Sequence, residues 1–286
     1  MSNDLNNIQV NHQIKAKHFG HNGSENQHLA VYVGNDELSF TIADDAGNTV
    51  QYMKSYRLKN AFNYFAYKMM LTDLLEQEDL FKNKYAKISI GLNAANYTLV
   101  PNKYFDLSSA EKYYDFNFSN DGNGKIMANL VEGYNCFVVF AIDFQLLDSF
   151  TEVFDQFTLQ HAVSYLLPAL PQPPPEEKYL YASVQKNHFD LVCLEGNRLL
   201  YCNSFACTTP ADFLYHLLNV AKHSGLDAIK DNFVLLGDIA ADQPAYRLCK
   251  KYLPNIAFGS RPEGKNYCAE LDIIARHQHY NLYCIQ

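Results

Sequence analysis

The sequence predicts an α/β protein made of two similarly built domains, each a mixed sheet flanked by helices. Three observations predict it. Residues 29–43 and 180–194 carry one pattern at a constant offset, with Val33 over Val184, Leu38 over Phe189, Phe40 over Leu191 and Ile42 over Cys193. A proline-rich run from Pro168 to Glu177 separates the two stretches. The chain has 286 residues, 48% hydrophobic and 19% charged, which is enough for two domains with cores of their own.

Each copy opens with a strand, residues 29–33 or 180–184, and a tight polar turn, residues 34–37 or 185–188. A second strand follows, residues 38–43 or 189–194. The next turn, residues 44–48 or 195–197, contains Gly and Asn, which tolerate the positive φ of hairpins. A third strand covers residues 49–56 or 198–205. A helix comes next, and then a strand over residues 86–92 or 232–236.

The helices have local reasons. Thr209 is a natural N-cap, Pro210 fits the first helical position and Asp212 falls in the first turn. Phe213, Leu214, Leu217, Leu218 and Ala221 then share one face, and Gly225 is the stop. In the first copy Phe62, Phe65, Met69, Tyr67, Met70 and Leu74 form a broader apolar surface. Asp143 can cap a helix over residues 144–157, and Asp242 with Pro244 can open one over 245–253.

This pattern places a polar, mobile tail at residues 1–27, with His12, His18, His21 and His28 in or beside it and solvated. The first domain spans 28–170, the proline linker 171–177 and the second domain 178–286. The first domain carries an insertion at about 93–135, rich in Tyr, Asn and Asp. Strands over 137–142 and 159–165 follow it. Within the insertion, Tyr97, Tyr104, Tyr113, Tyr114 and Phe116 form a protein contact or pack on their own domain.

With 21 Tyr, 19 Phe and no Trp, the rings are read first as core and sheet packing, and second as a contact surface. A net charge of −8 with no basic block argues against a binder that tracks phosphates along a nucleic acid. No apolar stretch is long enough to span a bilayer, and the first residues lack an apolar signal core. Seven cysteines without a CxxC fit reduced thiols, hence a cytoplasmic protein.

Three segments carry a family resemblance. Val234-Leu235-Leu236-Gly237-Asp238-Ile239, followed by a helix and Ile256-Ala257-Phe258-Gly259, together with the two strand-turn openings, resembles the actin-like ATPase superfamily. Residues 137–142 with the following helix resemble its pilus-assembly and cell-division branch. Residues 189–205 and 212–221 are similar to an uncharacterised bacterial family with a degenerate actin-like fold. The resemblance implies an internal duplication of an RNase H-like domain and covers most of the chain after residue 28.

In that superfamily an Asp-x-Gly turn after each first strand positions metal and water, and lets backbone amides approach phosphate. Here the first turn is Tyr32-Val33-Gly34, which keeps the Gly and replaces the Asp. The second is Ser183-Val184-Gln185, which keeps neither. The Gly-Gly that passes under the adenosine is reduced to Gly237-Asp238. The resemblance therefore implies a degenerate nucleotide site, with no cofactor and no catalytic residue assigned.

Other clusters are weaker. Cys268, His277, His279 and Cys284 are metal-capable, and strand alternation would put His277 and His279 on one face, but their spacing matches no zinc pattern. Cys202 and Cys207 precede a helix and are read as structural thiols. Asp36, Asp44 and Asp45 fall in turns rather than on facing strands, as a two-metal nuclease site would require. Three classes of function remain. The first is a non-catalytic scaffold that binds another protein, with self-association left open. The second is a nucleotide or small-molecule binder using the interdomain cleft through Gly34, Asn35, Lys186, Asn187, Gly237 and Asp238. The third is an enzyme of unrelated chemistry.

Overall fold

The computed structural model describes residues 7–20, 24–44, 48–59, 64–119 and 122–285. They fall into two compact units. One comprises residues 1–166, 264–273 and 284–286, and the other residues 167–263 and 274–283.

In the first unit the strands are β1 (Ile8–Lys15), β2 (Gln27–Val33), β3 (Glu37–Asp44) and β4 (Thr49–Leu58). Helix α1 (Tyr64–Gln77) then crosses to β5 (Lys87–Leu92). From Leu29 to Val33 every residue of β2 is buried, so the central strand reads as a continuous apolar run rather than an alternation. β3 pairs antiparallel with β2 and β4, whereas β5 pairs parallel with β2. Leu71 and Leu75 of α1 are buried, as are Phe40 and Ile42 of β3.

The insertion folds as a layer of its own. Its strands β6 (Tyr97–Pro101), β7 (Gly124–Val131) and β8 (Cys136–Asp143) form an antiparallel sheet in the order β6-β8-β7. Helix α2 (Ala110–Asp115) contributes Tyr114 to a small core with Val100 and Val139. The residues expected as a resumed domain strand are therefore the centre of this separate sheet. β8 runs directly into α3 (Phe144–Val153), because Asp143 accepts from the Gln145 and Leu146 amides and caps it. The main sheet then closes with β9 (Thr158–His161), parallel to β5, and α4 (Ala162–Ala169) follows. The full order is β1-β4-β3-β2-β5-β9.

The second unit contains β10 (Lys178–Val184), β11 (His188–Glu195), β12 (Arg198–Ala206), α5 (Pro210–His223), β13 (Asn232–Gly237), α6 (Pro244–Tyr252) and β14 (Ile256–Phe258). Its order, β12-β11-β10-β13-β14, repeats β4-β3-β2-β5-β9 strand for strand, with the same directions. Thr209 and Asp212 form a reciprocal capping box at α5. The buried face of α5 is Phe213, Leu214, Leu217, Val220 and Ala221, so Val220 rather than Leu218 completes it. Two short elements end the chain, β15 (Asn266–Tyr267), parallel to β4 in the first unit, and α7 (Tyr280–Cys284).

Several expectations need correction. Residues 8–15 are not a tail but an edge strand on β4, and Phe19 is buried, stacked on Tyr52. Ile8, Val10 and Ile14 alternate as a strand would, but Val10 is exposed and Ile14 alone is buried, so the apolar face is thin and main-chain pairing with β4 holds the edge. His28 lies in β2 with its ring on the Ser89 hydroxyl at 3.0 Å. Burial, with Lys265 and Lys87 nearby, pushes its pKa down to about 4. His18 is exposed as expected, and His21 lies outside the described residues. The strand expected at 159–165 becomes helix from Ala162, and the helix expected to Phe157 ends at Val153. Pro168 finishes α4 instead of opening the linker, and Gln243 rather than Asp242 precedes α6. On α1, Phe65 and Met69 face solvent while Tyr67, Met70 and Leu74 are buried; Phe62 lies outside the described residues.

Candidate functional site

The first-strand turn of each unit is where sequence reasoning placed the chemistry. In the first unit Gly34 follows β2 directly. Its N–H donates to the Glu37 carbonyl at 2.8 Å, and its carbonyl accepts from the Tyr67 hydroxyl at 2.6 Å. Tyr32, in the place of the superfamily carboxylate, is 4% exposed. Its ring lies so close to Gly34 that an added Cβ would meet Cε1 at 3.0 Å. The position is filled by a phenol, and the Gly34 amide is committed to its own turn. Asn35 is exposed at the tip of that turn.

In the second unit the Gln185 amide donates to the His188 carbonyl at 2.9 Å, which closes the β10–β11 turn and leaves Lys186 and Asn187 exposed. Gly237 ends the neighbouring strand β13 with φ +85°, and an added Cβ would fall 2.2 Å from the Val184 carbonyl oxygen. No other residue fits there. The Asp238 amide donates to that same Val184 carbonyl at 2.8 Å, and the Gly237 amide donates to the His277 carbonyl at 2.7 Å. Gly237 and Asp238 thus lie beside the end of β10 and the turn carrying Lys186 and Asn187. Ser183, in place of the second carboxylate, is buried and donates to Asn281 Oδ1 at 2.9 Å.

The remaining clusters do not assemble. Asp36 is ion-paired with Arg57 at 3.2 Å, and Asp44 ends the same strand that Asp36 precedes. The two are separated by roughly 25 Å of extended chain, too far for a shared metal pair; Asp45 lies outside the described residues. His277 sits in a turn, not a strand. Its Nε2–H donates to the Ile239 carbonyl at 2.6 Å, and burial lowers its pKa. His279 adopts φ 53° in the same turn. Cys284 is buried and its thiol is pushed up, while Cys268 is half-buried. Among the described residues no three His, Cys, Asp or Glu side chains converge on a metal position. Cys202 is half-buried in β12, and burial raises the Cys207 thiol, which donates to the Thr209 carbonyl.

The insertion rings divide. Tyr97 and Tyr114 are buried, Tyr113 donates to the Tyr104 carbonyl at 2.5 Å, and Tyr104 and Phe116 are 65% and 88% exposed.

Sequence reasoning missed one feature. Lys68 on α1 donates to both oxygens of Asp143, at 3.1 and 3.0 Å, and to Gln145 at 2.7 Å. This group lines a cavity of about 570 Å³ with Tyr114, Asn123 and Phe144. Asp143 was legible as a cap, but no spacing rule links it to a lysine 75 residues earlier.

Residues 16–256 match the family described as "Protein of unknown function (DUF3822)". The chain belongs to this family. No curated protein matches the sequence. Among solved structures it is similar to a Bacteroides thetaiotaomicron VPI-5482 protein with an actin-like ATPase fold and unknown function. That match has 22% identity and a TM-score of 0.75 over 84% of this chain and 93% of the other. It is also similar to the PilM–PilN type IV pilus biogenesis complex, with 11% identity and a TM-score of 0.56 over 90% and 97%. At these identities the likeness establishes the fold alone: this DUF3822 member has an actin-like ATPase fold. Among its described residues no helix is long and apolar enough to cross a membrane.

Proposed function

We propose that this DUF3822 protein is a non-catalytic scaffold that binds another protein. One observation carries the reading. The positions where this fold would need carboxylates hold Tyr32 and Ser183, both buried and both already engaged. Organising Mg²⁺ and a water molecule needs a carboxylate, and a phenol is neutral near pH 7. Backbone donors are spent as well: Gly34, Gly237 and Asp238 all donate to carbonyls of the chain itself. The likeness to a structure containing PilM with PilN adds support for a protein partner, and Tyr104 and Phe116 are apolar surface available to one.

The alternative is a binder of nucleotide or a small molecule through Gly34, Asn35, Lys186, Asn187, Gly237 and Asp238. Calorimetry with Mg-ATP and a phosphate-release assay under the same conditions separate the two. The scaffold reading expects no measurable binding heat and no turnover. Micromolar affinity without turnover would favour the binder, and Mg-dependent turnover would sink both in favour of an ATPase.

A further inference from the structure

In an α/β sheet the binding crevice lies outside the carboxyl ends of the parallel strands, beside the strand at which the order reverses. In the second unit that strand is β10, with β11 and β12 on one side and β13 and β14 on the other. Its end meets the Gly237–Asp238 turn, where Gly237 is in the left-handed region and the Gly237 and Asp238 N–H groups are successive donors. Short donor runs of this kind bind anions.

Here the chain supplies the occupant. The His277 carbonyl takes the Gly237 N–H at 2.7 Å. The His277 ring turns back to donate to the Ile239 carbonyl at 2.6 Å, and it stacks on Phe258 with centroids 4.3 Å apart. Four residues later, Asn281 Oδ1 accepts from the Ser183 hydroxyl at 2.9 Å. One residue therefore brackets the turn after β13 with both its carbonyl and its side chain, and a second holds the last turn of β10. Ser183, His277 and Asn281 are 2%, 7% and 8% exposed. A polar set this buried, whose side chains bond to one another and to the main chain, is a built site.

We propose that residues 277–281 act as an intrachain ligand of the second unit. They tie the ends of β10 and β13 together and keep external anions off the Gly237 amide. The inference rests on the scaffold reading and deepens it, since both count the Gly237 amide as spent on the chain itself. The ends of these strands are satisfied without nucleotide, metal or phosphate.

Amide-resolved hydrogen exchange tests it, on the full chain, with and without inorganic phosphate. In the wild type the Gly237 amide should be protected, and the Gly237 and Asp238 signals should not move on adding phosphate. His277→Phe with Asn281→Leu keeps the stacking and the bulk but removes both side-chain bonds. Gly237 exchange should then rise by about tenfold or more while the Leu235 amide is unchanged, and phosphate should shift the Gly237 signal. Should the double variant not fold, Ser183→Ala deletes a single hydroxyl and gives the same local readout at smaller amplitude. Unchanged Gly237 exchange in these variants would overturn the proposal, as would a wild-type Gly237 signal that moves with phosphate. A wild-type Gly237 signal that moves with phosphate would weaken the scaffold reading as well, whereas unchanged exchange in the variants overturns this proposal alone, because Mg-ATP binding is read separately by calorimetry.

Discussion

At the end of β2 the chain keeps a glycine and covers it with the Tyr32 ring. At the end of β10 Gln185 stands in the corresponding place, and the constrained glycine is Gly237 on the adjacent strand. The first unit fills its turn with a side chain, whereas the second fills the neighbouring turn with main chain from residue 277. Both units nevertheless share one strand order with the same directions. The order follows from main-chain pairing and from which faces are apolar, properties spread over dozens of residues. The filling depends on two or three side chains at strand ends. Such positions drift without disturbing the sheet, so one architecture tolerates two solutions.

Substituting each glycine in turn should separate the two units most clearly. Gly237→Ala places a methyl 2.2 Å from a carbonyl oxygen at φ +85°, and backbone cannot yield there. We expect a loss of more than about 3 kcal/mol, enough to prevent folding of the second unit. At Gly34 the nearest atom is 3.0 Å away at the rim of the Tyr32 ring, and φ is outside the left-handed region. Gly34→Ala should cost about 1 kcal/mol or less. Equal losses in urea unfolding would mean that the two turns are constrained alike.

Acid should weaken both units in the same window. His161 in the first unit donates from Nε2 to the Ala94 carbonyl at 2.8 Å and accepts the Val163 amide on Nδ1 at 3.1 Å, so both nitrogens are committed to the neutral ring. Burial holds its pKa at about 4, and burial does the same for His188 in the second unit. Between about pH 6.5 and pH 4 the unfolded chain binds protons at these sites and the folded chain does not. Stability therefore falls as pH falls through that window, by on the order of 1–3 kcal/mol per histidine. A melting temperature flat from pH 7 to pH 4.5 would remove this contribution.

Helix caps offer a subtler contrast. Thr209→Ala removes one exposed cap from α5 and should cost about 1 kcal/mol. Asp143→Ala removes the cap of α3 and also strips Lys68 of its ion-pair partner in a largely buried setting, and should cost about 2–4 kcal/mol. Lys68→Met in the Asp143→Ala background should recover part of that loss, and no recovery would show that the cap alone matters. The smallest effect belongs to Phe116→Ser, which should change stability by less than about 0.5 kcal/mol, because the ring is 88% exposed. A larger drop would place that ring in a packed contact.

The three leading strands of each unit with the strand after their helix, the Thr209 N-cap and the Asp143 cap were legible in the sequence because each follows from short-range pattern. Alternation, apolar runs and cap residues report on neighbours a few positions away. The substitutions at Tyr32, Ser183 and Gln185 were equally visible, since they needed only a position after a recognisable strand. Sequence could not show what replaced the missing chemistry. The β1 edge strand escaped because its alternating Ile8, Val10 and Ile14 sit in an otherwise polar stretch and only Ile14 is buried. Phe65 and Met69 were assigned to the wrong face because α1 is apolar over more of its surface than it buries. The Lys68–Asp143 pair, the Tyr32 ring over Gly34 and the His277 bracket around Gly237 join groups by direction as well as distance. Tertiary structure alone decided them, because a hydrogen bond or a steric limit is fixed to within tenths of an ångström by the packing of many distant residues, and no local periodicity carries that information.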